Sequence, residues 1–266
     1  MNTSNSAAAL FSDGEAYETL MGRWSRPVGE RFLDWLNIPK GLRWLDVGCG
    51  NGAFTETLIG RCAPAAVTGV DPSEAQLAYA RSRAGAKMAQ FRIGDAQALP
   101  FDNASFDAAV MALVITFVPD PGKAVAEMAR VVRPGGWVAT YMWDVPADGL
   151  PISPLCTAMD YLGMPRATSS NAASSRRDAM QRFWERAGLQ AVQTHVIRIP
   201  VAYSSFEDFW ASNTVPVGPL GKALSEMPAG AKDALRDRLL QTVSIDLNGR
   251  IAYEAFANAV EGKVPG

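Results

Sequence analysis

The segment WLDVGCGNG, residues 44–52, decides the architecture that this sequence predicts. Apolar residues around a single acid lead directly into glycines at positions 48, 50 and 52, and residues 53–61 have a helical pattern. Glycines at alternate positions let the backbone turn tightly and let a ligand approach it, because no Cβ stands in the way. A helix that starts at such a turn offers free N–H groups and the positive end of its dipole. The pattern therefore predicts a strand, a ligand-binding turn and a helix.

Outward from this segment, short apolar runs alternate with helical patterns. Strands are predicted at 43–47, 66–70, 91–93, 108–114 and 137–142, and helices at 53–61, 74–84 and 121–132. Helices between successive strands imply right-handed crossovers, so the predicted fold class is α/β, with a parallel, doubly wound sheet. A helix at 176–187 and a strand at 190–199 continue the alternation.

The remaining segments are predicted to surround one domain that spans residues 1–266. Residues 1–40 form an N-terminal helical segment, with an interruption near Pro27, and 41–144 form the ligand-binding core. The segments 145–175, rich in Pro, Ser and Ala, and 204–247, helical in short pieces, are predicted to be cap insertions outside the core. The tail at 251–260 has both the alanines of a helix and the alternation of a strand.

The composition predicts a soluble, cytoplasmic protein. Of 266 residues, 25 are Lys or Arg and 27 are Asp or Glu, a balance that does not provide the basic face of a nucleic-acid-binding protein. The longest apolar stretch, about 108–118, is too short to cross a bilayer, and the first residues lack the basic start of a signal peptide. Cys49, Cys62 and Cys156 have no metal-ligand spacing, so reduced thiols and no metal site are expected.

Two features point to an adenosine-containing cofactor. Gly48-x-Gly50-x-x-Ala53 satisfies the fingerprint of dinucleotide-binding domains. Asp71 follows 23 residues after Gly48, just beyond the second predicted strand, where a carboxylate accepts hydrogen bonds from both hydroxyls of a ribose. These two features alone leave NAD and S-adenosylmethionine open.

Two further segments separate these cofactors. GDAQALPF, residues 94–101, followed by SFD at 105–107, resembles the adenine-recognition loop of class I S-adenosylmethionine-dependent methyltransferases. RVVRPGGW, residues 130–137, resembles the turn before the fifth strand in the same family. Taken in order, the motifs are similar to those of small-molecule methyltransferases of ubiquinone and menaquinone biosynthesis. The resemblance covers about 40–144 and implies S-adenosyl-L-methionine as the cofactor, with a small-molecule methyl acceptor that it does not identify.

The resemblance also implies a Rossmann-like sheet of seven strands, of which the last is antiparallel, so the tail is predicted to be a strand. It implies that the Asp95 carboxylate accepts from the adenine amine, that the Ala96 N–H donates to the ring, and that the N-terminal helix folds over the cofactor. The residues expected to contact the cofactor are Tyr17, Arg23, Trp24, Asp46, Gly48, Cys49, Gly50, Asn51, Gly52, Asp71, Pro72, Gln76, Asp95, Ala96 and Leu113.

The chain departs from the family pattern after the fourth strand. Relatives often carry a histidine there, whereas this chain has Thr116 and Phe117, and the Asn/Asp-Pro-Pro-aromatic motif of many amino-group methyltransferases is missing. The sole histidine, His195, falls in a predicted strand and is interpreted as structural, so no catalytic residue is assigned. The prediction is a methyltransferase that acts by direct in-line displacement. Its alternatives are a non-catalytic S-adenosylmethionine-binding regulatory or partner protein and an NAD-dependent oxidoreductase.

Overall fold

The computed structural model describes residues 22–165, 169, 171–215 and 218–266, without the side chains of residues 218, 219 and 222. The strands are β1 (Arg43–Val47), β2 (Ala66–Asp71), β3 (Ala89–Ile93), β4 (Phe106–Ala112), β5 (Val132–Trp143), β6 (Gln190–Tyr203) and β7 (Ile251–Lys263). The described helices are α1 (Arg23–Leu36), α2 (Ala53–Cys62), α3 (Glu74–Ser82), α4 (Pro121–Val131), α5 (Ser153–Tyr161), α6 (Arg177–Arg186), α7 (Phe206–Asn213), α8 (Gly218–Glu226) and α9 (Ala229–Thr242).

The seven strands form one sheet in the order β3-β2-β1-β4-β5-β7-β6. Strands β1 to β5 pair in parallel, and β7 pairs antiparallel with both β5 and β6. The doubly wound sheet and the antiparallel last strand are therefore confirmed. The tail is a strand because its alternate residues Ala255, Ala257 and Ala259 are completely buried in the sheet, where an alanine fits closely against a covering helix.

Hydrophobic side chains cover both faces of the sheet. On one face, Val28 and Phe32 of α1 pack with Tyr141 of β5 in a cluster that also takes in buried residues of α2, α5, α7 and α9. On the other face, α4 and α6 supply a second cluster, in which Met128 and Trp184 are completely buried. Trp184 also donates from Nε1 to the carbonyl oxygen of Val138 at 2.8 Å, so its buried polar atom is satisfied.

At two positions where the sequence predicts an interruption of secondary structure, the helix or strand continues. Pro27 lies within α1, near its start, where the missing N–H removes one backbone hydrogen bond and the buried face of the helix continues past it. The turn expected at 134–136 is part of β5. Gly135 has φ +75° there, and the pairing with β4 shifts register between Phe106 and Ala108, so the turn is accommodated as a bulge at the start of the strand.

The prediction that 145–175 leaves the core is wrong. Leu155 and Met159 of α5 are completely buried in the same cluster as α1. The segment 204–247 is helical as predicted, and its first helix, α7, also belongs to this cluster, through the buried Phe206 and Phe209. Trp210 packs against the cluster from a half-buried position. Both insertions therefore contribute to the hydrophobic core.

Within the described ranges, no helix is long and apolar enough to cross a membrane.

One carboxylate ties three strands together at their amino ends. Asp107 of β4 accepts from the backbone N–H of Arg43 at 2.8 Å, from Nε of Arg43 at 3.1 Å and from Nε of Arg133 at 2.7 Å. Arg43 begins β1 and Arg133 lies in β5. The hydrogen bonds and charge of Arg43, with the hydrogen bond of Arg133, hold the pKa of Asp107 well below its ordinary value.

Asp107→Asn is expected to lower the free energy of unfolding at pH 7 by about 2 kcal/mol, because it removes charge-assisted hydrogen bonds. A carboxyl with a lowered pKa in the folded state stabilises the fold above its ordinary pKa, near 4, and loses that effect as the pH falls below it. Urea unfolding at pH 7 and pH 3 should therefore show a difference that shrinks at pH 3. Asp178→Asn, which disrupts an exposed pair with Arg182, is the control and should change stability much less, because solvent screens exposed ion pairs.

Candidate functional site

A cavity of about 270 Å³ lies at the carboxyl ends of β1 to β4. Chain segments diverge there, because β2 lies on one side of β1 and β4 on the other, and such switch points are where open α/β sheets bind ligands. Ten of the predicted site residues line it: Gly48, Cys49, Gly50, Asn51, Asp71, Pro72, Gln76, Asp95, Ala96 and Leu113. The lining also includes residues that were not among those expected to contact the cofactor, namely Gly22, Ser25, Arg26, Ala53, Phe54, Thr57, Ser73, Gly94, Gln97, Ala112, Val114, Phe117, Val118, Pro119 and Tyr141.

The glycine turn forms the floor of this cavity. Gly48 has φ +73°, and a Cβ at this position would lie 2.7 Å from Cγ1 of Val114, so only glycine fits. The backbone N–H groups of Gly48 and Cys49 both donate to the carbonyl oxygen of Val70, which ties the turn to the end of β2. A Cβ at Gly50 would meet no atom within 4 Å, so this part of the turn leaves room for a ligand.

Asp71 stands at the end of β2, half-buried at the cavity wall. Its Oδ2 accepts from the backbone N–H of Gly50 at 2.9 Å, and its Oδ1 accepts from that of Ser73 at 2.9 Å. Burial raises the pKa of Asp71 from its ordinary value, and these two hydrogen bonds oppose the rise. Because each oxygen retains further acceptor capacity, the carboxylate is held in a fixed orientation in which it can accept from a diol.

The loop after β3 holds a second carboxylate, that of Asp95. Its Oδ1 accepts from the backbone N–H of Gln97 at 2.8 Å and from Nε2 of the same residue at 3.2 Å. The loop closes through the backbone N–H of Ala98, which donates to the carbonyl oxygen of Asp95 at 3.0 Å. Asp95 is thus held in place by its own loop, and Gln97 is a site residue that the motif alone did not single out.

The wall beyond the glycine turn is largely apolar. Leu113 follows β4 with φ +59°, a conformation that non-glycine residues rarely adopt, and its N–H donates to the carbonyl oxygen of Tyr141 at 2.9 Å. Strained residues of this kind cluster at ligand sites, where the surrounding structure holds them in place. The rings of Tyr141 and Phe54 lie 5.7 Å apart and complete this wall.

The N-terminal helix reaches the cavity through different residues from those predicted. Trp24 is buried against Tyr203, with the two rings 5.9 Å apart, and the guanidinium of Arg23 lies over both rings. Neither side chain lines the cavity, which Ser25 and Arg26 reach instead. The cause is the phase of the helix, because Trp24 belongs to the face that packs on the sheet. Tyr17 lies outside the described residues.

Comparison with known proteins identifies the family to which the core of the chain is similar. Residues 45–140 match the family model for the methyltransferase domain. The chain carries a class I, S-adenosylmethionine-dependent methyltransferase domain.

Three O-methyltransferases illustrate the relatives of this domain. The chain is 34% identical to the O-methyltransferase cnsE of Penicillium expansum over 193 residues, which are 70% of this chain and 64% of that protein. It is 38% identical to malonyl-(acyl-carrier protein) O-methyltransferase of Erwinia pyrifoliae, over 49% of this chain and 48% of the relative. It is 36% identical to the ubiquinone biosynthesis O-methyltransferase of Paracidovorax citrulli, over 42% and 48%. The chain thus spans 48% to 64% of the length of these relatives.

Solved structures share the fold of the methyltransferase domain and its surroundings. Phosphoethanolamine N-methyltransferase 2 of Haemonchus contortus, solved with S-adenosyl-L-methionine, superposes with a TM-score of 0.57 at 18% identity, over 94% of this chain and 56% of that chain. The cyclase SpnF superposes with a TM-score of 0.52 at 19% identity, over 92% and 82%. At such low identity these structures show the fold alone.

Asp46 and Gly52, both predicted to contact the cofactor, lie behind the cavity wall of the methyltransferase domain. Gly52 precedes α2 as its N-cap residue. Asp46 is completely buried; its Oδ2 accepts from Oγ1 of Thr55 at 2.6 Å, while Oδ1 has no hydrogen-bond partner among the described residues. Burial, above all, raises the pKa of Asp46 to about 7, against a smaller lowering by the Thr55 hydrogen bond.

His195 lies on β6, away from the cavity. Its ring stacks on that of Trp35 of α1, with centroids 5.5 Å apart and planes at 12°. Among the residues that the structure describes, no group of three or more His, Cys, Asp or Glu side chains has the arrangement of a metal site.

Asp46→Asn is expected to change how stability depends on pH. A buried carboxyl with a raised pKa contributes no pH dependence to the free energy of unfolding while it is protonated in both the folded and the unfolded state. As the pH rises from the pKa of the unfolded state toward that of the folded state, the carboxyl destabilises the fold increasingly. Between pH 5 and pH 8 the stability of the variant should therefore rise relative to the unmodified protein, by about 3 kcal/mol. Urea unfolding across this range measures the difference. Parallel pH curves for the two proteins would show that Asp46 titrates normally.

Proposed function

We propose that the protein transfers a methyl group from S-adenosylmethionine to a small-molecule acceptor by direct in-line displacement. One observation carries the proposal: a single cavity is lined both by the glycine turn, Asp71 and Asp95 and by the apolar side chains of Leu113, Phe54 and Tyr141. The first set provides polar groups for a nucleoside, and the second provides a dry surface for an organic molecule. The named relatives methylate oxygen, so oxygen acceptors are the first class to test.

The residues present fit the methyl donor. The open space at Gly50 admits it without a Cβ in the way, and the fixed carboxylate of Asp71 would accept from the two ribose hydroxyls. Asp95 and the Ala96 N–H would hold the adenine. Arg26 lines the cavity beside the first turn of α2, where its Nη2 is 3.9 Å from Oε2 of Glu56, and we assign to it the carboxylate of the donor.

The chemistry makes modest demands on this chain. The donor supplies a sulfonium methyl group, which is already electrophilic. The protein's own task is therefore to align the acceptor with that group and to keep water out. Leu113, Phe54 and Tyr141 would exclude water, and the hydrogen bond from the Leu113 N–H to the carbonyl oxygen of Tyr141 ties the end of β4 to β5. An acceptor that is ionised at neutral pH, such as a carboxylate, needs no general base from the protein.

Two other functions make different predictions. An NAD-dependent oxidoreductase would explain the glycine turn and Asp71 but not the resemblance of the 94–101 loop to that of methyltransferases. A non-catalytic S-adenosylmethionine-binding protein would bind the donor and transfer nothing, and the fold also serves a cyclase. Incubation with labelled donor and a panel of phenols, quinol precursors and small carboxylic acids distinguishes them. Label in an acceptor supports the proposal, and tight donor binding without transfer to any acceptor supports the binding protein.

Asp71→Ala is expected to weaken binding of S-adenosylhomocysteine roughly 30- to 1000-fold, because it removes two charge-assisted hydrogen bonds. Isothermal titration calorimetry measures the change, with Asp34→Ala as the control, since Asp34 is an exposed residue of α1 that pairs with Arg61. The unmodified protein should bind S-adenosylhomocysteine much more tightly than NAD. Equal affinity for the two ligands would contradict the proposed cofactor.

His195→Ala, and separately treatment with a chelator, should each leave more than half of the methyl transfer intact. The reason is the position of His195, stacked on Trp35 outside the cavity. Initial rates with an acceptor identified by the label assay measure both effects. If either treatment abolishes transfer while S-adenosylhomocysteine still binds, a base or a metal takes part in the reaction.

A further inference from the structure

One side chain of the 145–175 insertion holds the turn that follows Phe117. Nδ2 of Asn171 donates to the carbonyl oxygens of Val118, at 2.6 Å, and Pro119, at 3.1 Å. Because both acceptors are oxygens, the nitrogen end of the amide must face them; the opposite orientation would place oxygen against oxygen. Val118 and Pro119 line the cavity, so the insertion acts on the cavity wall through Asn171.

The same turn is hydrogen-bonded to the Asp95 loop. The backbone N–H of Asp120 donates to Oε1 of Gln97 at 3.1 Å. Gln97 in turn donates twice to Oδ1 of Asp95 and approaches Oδ2 only at 3.5 Å. Oδ1 is therefore committed to the loop, and Oδ2 is the oxygen with capacity to accept from a ligand.

We propose that Asn171 and Gln97 are positioning residues that make the cavity selective for adenine over hypoxanthine. The inference rests on the proposed function, in which the Asp95 carboxylate accepts from the amino group of adenine. Asn171 fixes the turn at 118–119, the adjoining Asp120 fixes the Gln97 side chain, and Gln97 fixes the Asp95 carboxylate. The contacts run without interruption from the insertion to the base-recognising group.

The selectivity follows from the charge of the fixed carboxylate. Hypoxanthine has a carbonyl oxygen where adenine has its amino group, so Asp95 attracts one base and repels the other. A carboxylate held in place cannot turn away from the wrong base. Its preorganised orientation therefore favours binding of adenine and disfavours binding of hypoxanthine. Loss of either positioning residue lets the Asp95 carboxylate rotate or lets water reach it. Affinity for the adenine ligand should then fall more than affinity for the hypoxanthine ligand.

The test compares S-adenosylhomocysteine with S-inosylhomocysteine by calorimetry. The unmodified protein should prefer the adenine ligand by about 100-fold, the effect of one good hydrogen bond to a charged group. In Asn171→Ala and in Gln97→Met, which keeps the length of the side chain, the preference should fall to about 10-fold or less. Asn213→Ala is the matched control, because Nδ2 of Asn213 also donates two hydrogen bonds, to Oη of Tyr203 and the carbonyl oxygen of Phe209, outside the cavity. It should lower the Tm and leave the preference unchanged.

A second measurement uses the ligand-free protein. Amide hydrogen exchange at Asp120 and Gln97 should be faster in Asn171→Ala and unchanged in Asn213→Ala, since only the first variant releases the turn. If the unmodified protein binds neither ligand, the proposed function fails and this inference fails with it. If it binds S-adenosylhomocysteine and both positioning variants keep the full preference, the inference alone is overturned.

Discussion

The site depends on the close approach of two chain segments at the carboxyl ends of β1 and β4. A Cβ at Gly48 would stand 2.7 Å from the Val114 side chain, so the two segments meet only because residue 48 has none. This contact allows the N–H groups of Gly48 and Cys49 to reach the Val70 carbonyl oxygen, which brings the glycine turn beside Asp71. A larger residue at position 48 would separate the groups that the cavity requires, whatever it did to the rest of the sheet.

The polar groups of the site are held at an electrostatic cost. Burial raises the pKa values of both Asp46 and Asp71, and the charge of Asp71 adds to the rise at Asp46. At the opposite end of the sheet, Asp107 is paired with two arginines and its pKa is lowered. Carboxylates thus stabilise the fold at the amino ends of the strands and destabilise it at their carboxyl ends. Such a difference is expected where one end of the sheet serves stability and the other end binds ligands.

The sequence predicted the parts of the fold and site that local patterns control. The turn at 48–52, Asp71 and the 94–101 loop each depend on neighbours along the chain, and all three meet at the cavity. The sequence was less informative where packing between distant segments decides the structure. The face of α1 that packs on the sheet decides whether Arg23 or Arg26 faces the cavity. The surrounding Pro and Ser residues obscured the helical i, i+4 spacing of the buried Leu155 and Met159. Asn171 has no local signal, because its acceptors are more than 50 residues away.

Most of the residues proposed to bind the methyl donor lie in the region that the family shares. Asp71, Asp95 and the glycine turn all lie within 45–140, the residues that match the methyltransferase domain. Arg26, Asn171 and the insertion between β6 and β7 lie outside it. Tyr203 and Ile251 pair directly with each other, so that insertion leaves and re-enters the sheet at one place, and β6 and β7 continue past Trp143, where β5 ends. The extended pair supports the insertions on the edge that holds the cavity. Relatives can therefore keep one donor site while the segments around it change, which is why similarity across the core carries little information about the acceptor.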